Sequence, residues 1–90
     1  MRLTHFTDYT LRVLIYLGLN QSRLVTIDEI ANAYDISRNH LMKIVHQQAR
    51  VGVIKTIRGK GGGMQLGKIP DKICIGDIVR NTEQNMALVE

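Results

Sequence analysis

The stretch that most constrains the fold is Thr26 to Gly52, TIDEIANAYDISRNHLMKIVHQQARVG. Its spacing is that of two short helices joined by a tight turn. Thr26 is a good N-cap, and Glu29 three residues on completes a capping-box signature. Ile27, Ile30, Ala31 and Tyr34 then share one helix face. Asp35 and Ile36 break that pattern. Ser37 is the next N-cap, able to take up a free N–H in the first turn of the second helix. Leu41, Ile44, Val45, Gln48 and Ala49 form that helix's inner face. Gly52 is placed to stop it, because glycine enters the left-handed conformation cheaply.

The opposite face of the second helix carries Arg38, Asn39, Lys43, Gln47 and Arg50, with His40 and His46 nearby. A helix with an apolar back and such a front suits the DNA major groove. Its side chains pair with base edges or phosphates, and its first-turn N–H groups suit a phosphate. A solvated amphipathic helix would carry the same residues, but the segment after Gly52 favours DNA. Val53 to Ile57 is a β-branched run that predicts a strand, and Met64 to Leu66 predicts a second. Between them, Arg58-Gly59-Lys60-Gly61-Gly62-Gly63 is a tight glycine-rich turn. Two helices, a recognition helix and a hairpin make the winged-helix order. The expected fold is mainly α with a small two-stranded β-hairpin, a winged helix–turn–helix whose wing tip is the glycine turn.

Charge supports this. Ile36 to Pro70 holds seven Lys or Arg and no Asp or Glu, while the rest holds five basic and eight acidic residues. The net +4 is thus +7 in the middle against −3 outside it. Such asymmetry points to a polyanion partner for the central segment. Ninety residues allow one small domain, and 44% apolar residues argue for a folded one. Cys74 is the single cysteine, so no internal disulfide forms and a reducing compartment is expected. The apolar run Val13 to Leu17 is too short to span a bilayer, so no membrane partner and a cytoplasmic location are expected.

Ahead of the central stretch, Leu3 and Phe6 lead into a helix that should begin near Thr7. Leu11, Leu14, Ile15, Gly18 and Leu19 form one apolar stripe on it; Tyr9, Val13, Tyr16 and Leu17 form another. A small domain has little to cover both. The second stripe therefore either meets a partner or leaves its tyrosines half-exposed, and any self-association should run through it. Asn20 to Val25 reads as a polar connection. After Pro70, Ile73-Cys74-Ile75 reads as an extended apolar segment with Cys74 a small core residue. Gly76 to Arg80 starts another helix, with Asp77 in its first turn. Asn81 to Glu90 carries no strong signal.

Other chemistry finds little support. The glycine turn is not a phosphate-binding P-loop, since Gly59-Lys60 is followed by glycine and then a strand. His40 and His46 are six residues apart and share no helix face, so they make no metal site. No catalytic constellation emerges, and an enzyme is not expected.

The segments LTHFTDYTLRVLIYLG, SRNHLMKIV, RGKGGGMQLGK and ICIGDIVRNTE together closely resemble the nitric-oxide-sensing repressors of the Rrf-two-type winged-helix family. The resemblance covers essentially the whole chain. It implies a bacterial repressor that binds a palindromic operator in double-stranded DNA as a homodimer. It also implies release when nitric oxide attacks an iron–sulfur cluster. The chain departs from the family pattern in lacking the three ligand cysteines and the long dimer helix expected after the segment Asn81 to Glu90. Cys74 matches no ligand position. Asp8 matches an acidic position that reaches the cluster in some sensors; here a carboxylate in the helix's first turn is the expected role. The expectation is therefore a DNA-binding domain over residues 1–80, with 81–90 beginning the missing cluster and dimerisation region. No cofactor is expected in this chain, and self-association should be weak or absent.

In this reading Arg38, Asn39, His40 and Lys43 enter the major groove, and Ser37 caps the helix and touches a phosphate. Arg58, Lys60, Gly61 and Gly62 meet flanking backbone or minor groove. The competing reading is a protein-interaction or dimerisation winged helix that modulates a longer repressor.

Overall fold

The computed structural model describes the backbone of residues 4–89 and the side chains of residues 4–83. The elements are α1 (His5–Leu19), α2 (Ile27–Tyr34), α3 (Arg38–Arg50), β1 (Ile54–Ile57), β2 (Gly63–Leu66), a 3₁₀ turn (Pro70–Lys72) and α4 (Ile75–Val89). The expected class, mainly α with one two-stranded hairpin, is what forms. β1 and β2 pair antiparallel, from Ile54 opposite Leu66 to Ile57 opposite Gly63. The connection before α2 does more than link. Val25 exchanges two backbone hydrogen bonds with Met64, at 2.9 and 2.8 Å, and so lies along the hairpin's edge.

The central pair of helices is set by its caps. The Thr26 hydroxyl accepts from the Glu29 N–H at 3.1 Å, and Ser37 Oγ accepts from the His40 N–H at 3.1 Å. Asp35 ends α2 in the left-handed conformation, φ 55°, which short polar residues tolerate. Ile36 then turns inward. Gly52, at φ 81°, ends α3 as its spacing indicated. Leu41, Ile44, Val45 and Gln48 are buried.

α1 differs from expectation in two ways. It starts at His5, with Thr4 rather than Thr7 as its cap: the Thr4 hydroxyl accepts from the Thr7 N–H at 3.2 Å. Thr7 is instead fully buried, its hydroxyl 2.7 Å from that of Thr82 on α4. Phe6 lies inside the helix, and Leu3 lies outside the described residues. Second, Val13 and Leu17 are core residues at 0% and 1% exposure, so they form no free stripe. The buried line is Phe6, Thr7, Thr10, Val13, Leu14 and Leu17, drawn from both expected stripes, from two threonines and from Phe6. α4, α3 and β2 all pack on α1 and close over it. The exposed apolar residues of α1 are Ile15 and Leu19.

α4 runs past residue 80, so the expected domain boundary falls inside a helix. Asp77 sits in its first turn and pairs with Arg80. The extended segment at 73–75 is shorter than expected: Ile73 is extended after the 3₁₀ turn, but Ile75 already begins α4. Cys74 is exposed, not a core residue. Its carbonyl accepts from the Ile78 N–H at 3.1 Å, which fixes it at the helix entrance, and Ile78 fills the core instead. No helix among the described residues is long and apolar enough to cross a membrane.

Candidate nucleic-acid interface

α3 rests on the core by Leu41, Ile44 and Val45 and turns its opposite face to solvent. Arg38, Asn39, Lys43, His46 and Arg50 are all exposed there. Gln47 is half-buried, its Oε1 accepting from Gln48 Nε2 at 3.2 Å. Ser37 is exposed at the helix entrance with its hydroxyl committed to the cap. The first-turn N–H groups and Ser37 share one end of the helix, a geometry that suits an anion.

His40 departs from the expected group. It is half-buried and turned toward α1. Its ring lies 6.2 Å from that of Phe6, nearly parallel, and 5.0 Å from that of Tyr9, edge to face. Burial lowers its pKa, with the positive charge of Lys43 and then His5 adding to the effect. A neutral imidazole is the form that packs here. His40 therefore joins α3 to α1 and leaves the outward group to its neighbours.

Arg38 pairs with Asp28, in the first turn of α2. Asp28 carried no such role in the sequence, because the contact crosses the inter-helix turn. A second ion pair stiffens the same scaffold. Glu29 accepts from Arg23 at 2.8 and 2.5 Å and from the Tyr16 hydroxyl at 2.5 Å. The hydrogen bonds from Arg23 and then from Tyr16 hold the Glu29 carboxyl down to about 2. The same contact raises Tyr16. α1, the connection and α2 are thereby fixed to one another.

The wing carries Arg58, Lys60 and Gly61 exposed, with Gly62 half-exposed. Gly61 has φ 80°. At Gly62 a Cβ would lie 2.2 Å from the Ile57 carbonyl oxygen, so the turn closes only with glycine there. All seven cations of the central block, Arg38, Lys43, Arg50, Lys55, Arg58, Lys60 and Lys68, are exposed. Sequence reasoning passed over Met42, which stands on the same outer face; its i+4 relation to Arg38 is the signal that marks it.

Asp8 lies in the first turn of α1 and pairs with Arg12 at 3.1 Å. Among the described residues no group of three or more His, Cys, Asp or Glu could hold a metal ion. Cys74 stands alone at the entrance to α4. These residues do not fit an iron–sulfur cluster.

The architecture is that of a winged helix–turn–helix protein. A family model for Rrf2, described as an iron-dependent transcriptional regulator, matches residues 3–90. The chain belongs to the Rrf2 family. It is 50% identical over its whole length to the HTH-type transcriptional regulator NsrR of Bacillus licheniformis and 48% identical to that of Bacillus subtilis. It spans 64% and 62% of those relatives' lengths. Among solved structures, CymR, the global cysteine regulator of B. subtilis, superimposes with a TM-score of 0.86 at 31% identity, over 92% of this chain and 65% of that one. IscR of T. potens gives 0.82 at 25% identity, over 89% and 59%.

Proposed function

We propose that this chain is the DNA-reading part of a bacterial transcription repressor. The outward face of α3 carries the proposal: Arg38, Asn39 and Lys43 are exposed together on a helix whose back is locked into the core. Arg38 and Asn39 have the side-chain chemistry to pair with guanine and adenine edges, respectively. Ser37 and the first-turn N–H groups take a phosphate. Arg58 and Lys60 on the wing, with Gly61 and Gly62 allowing close approach, take flanking phosphates or the minor groove. His40 holds α3 against α1. The family description and the relatives' names, all regulators, support this class and not an enzyme. A DNA partner implies the bacterial cytoplasm.

A palindromic operator would need two copies, reading half-sites about 34–36 Å apart. The relatives extend further than this chain, and pairing through such an extension is part of the proposal. Response to nitric oxide through an iron–sulfur cluster rests on the resemblance, and the cluster's ligands would come from that extension.

Salt titration of duplex binding tests the reading. Contact with about six phosphates should cost about a thousandfold in affinity between 50 and 200 mM salt. Binding that ignores salt, or a chain that captures a protein partner and no DNA, would favour the interaction-module reading instead.

A further inference from the structure

We propose that Met42 reads the 5-methyl group of a thymine in the major groove, as a specificity-determining residue of the DNA-reading face proposed above, on which this inference rests. Met42 is 52% exposed. The core is filled from α3 by Leu41 and Ile44, both fully buried, and by Val45, nearly so, while Met42 and its neighbour Lys43 face outward. At about 3.6 residues per turn, it lies one turn from Arg38, Asn39 and His46, and these three exposed side chains surround it.

Exposure alone carries nothing, because scattered surface apolar residues are ordinary. Position is what distinguishes this one. Among the described residues the other large exposed apolar side chains lie elsewhere: Ile15 and Leu19 on α1, Val51 past the last turn of α3, Ile57 at the end of β1, and Ile69 and Ile75 before and at the start of α4. Met42 sits amid side chains of the types that pair with base edges. Of the groups the four base pairs present in the major groove, the thymine methyl is the apolar one. A polar neighbour gains nothing from that methyl. An unbranched, polarisable thioether adapts its shape to it and loses its own contact with water. Arg38 and Asn39 would then select purines through hydrogen bonds, and Met42 would select an adjacent thymine through packing.

The test begins with a randomised duplex pool, from which the 90-residue chain selects its preferred sequence. Each thymine of that sequence is then replaced in turn by deoxyuridine, which removes the methyl and keeps the hydrogen-bonding edge. At one position wild-type binding should weaken about three- to fivefold, the scale of one buried carbon. Met42→Ala should bind the thymine and deoxyuridine duplexes equally, and Met42→Leu should keep the difference. Comparing protein and DNA changes together separates contact with the methyl from any effect of the methyl on DNA shape. The inference is overturned if every thymine can be replaced without effect, if the selected sequence has none, or if Met42→Ala keeps the wild-type ratio. A chain that enriches no sequence would instead bring down the DNA-reading proposal, and this one with it.

Discussion

Between α1 and α4, polar groups are buried and bonded to each other; on the outer face of α3, they are exposed and held mainly by the helix beneath them. The first region joins Thr7 to Thr82 and ties the Thr4 hydroxyl to Glu83 at 2.7 Å. Thr10 and Thr82 also donate to backbone carbonyls one turn back, at 2.7 and 2.8 Å. No Lys or Arg is buried there among the described residues. The second region concentrates positive charge that no acidic residue on α3 offsets. A buried polar group is costly without a hydrogen-bond partner, and the α1–α4 seam supplies partners from within the chain, so it serves stability. An exposed cluster of like charge is mildly unfavourable in the free chain and gains from an anion. Substitutions in the two regions should therefore separate cleanly into effects on folding and effects on binding.

Val13→Glu should have the largest effect. It places an unpaired carboxylate at a site with no exposure, and should cost more than about 4 kcal/mol of stability, enough to unfold a small domain. Urea unfolding checks this. A folded Val13→Glu chain would mean that α1 keeps a free face after all. Next comes Arg38→Ala, expected to lose about 1–3 kcal/mol on the preferred duplex and to relax selectivity at one base pair. Lys60→Ala should weaken preferred and random duplexes alike. Competition binding decides; equal losses for Arg38→Ala on both duplexes would contradict a reading role.

Thr82→Val keeps the shape of the seam but removes the nearer of the two hydroxyl partners of the buried Thr7, leaving Thr4 at 3.1 Å. It should cost about 1–2 kcal/mol of stability while leaving the salt slope of DNA binding unchanged. Smallest is an effect of acid. Because Arg23 and Tyr16 hold the Glu29 carboxyl near 2, against an ordinary 4.5, the folded state gains from its ionised form. That gain is complete above pH 4.5 and disappears as the pH falls toward 2. Glu29→Gln should thus lower the thermal midpoint at about pH 7 and make progressively less difference as the pH drops through the acid range. A difference that stays constant with pH would show that the ion pair adds nothing to stability.

The same contrast explains what could be read from the sequence. α2, the turn, α3 and the hairpin are governed by neighbours in sequence: Thr26 and Glu29, Ser37 and His40, Gly52, and the glycines of the wing. Each was legible for that reason. The start of α1 was not, because Thr4 and Thr7 are both good caps. The choice is made by Glu83 and Thr82, more than seventy residues away. The burial of Val13, the exposure of Cys74 and the half-burial of His40 were not legible for the same cause, since α4 and the fold of α1 over α3 decide their surroundings. On α3, residue types and helical spacing placed Arg38, Asn39 and Lys43 on the outer face, where they are exposed. The partnership of Arg38 with Asp28 needed the folded chain.

If α3 and the wing meet DNA while the α1–α4 seam only supports them, the two regions must respond differently to a bound duplex. Backbone amide chemical shifts of the labelled chain, monitored as its selected duplex is added, address this most directly. The largest changes are expected over residues 37–50 and 58–62, with Thr7, Val13 and Thr82 nearly unmoved. Largest changes at Thr7, Val13 and Thr82, with α3 unaffected, would contradict that division of roles.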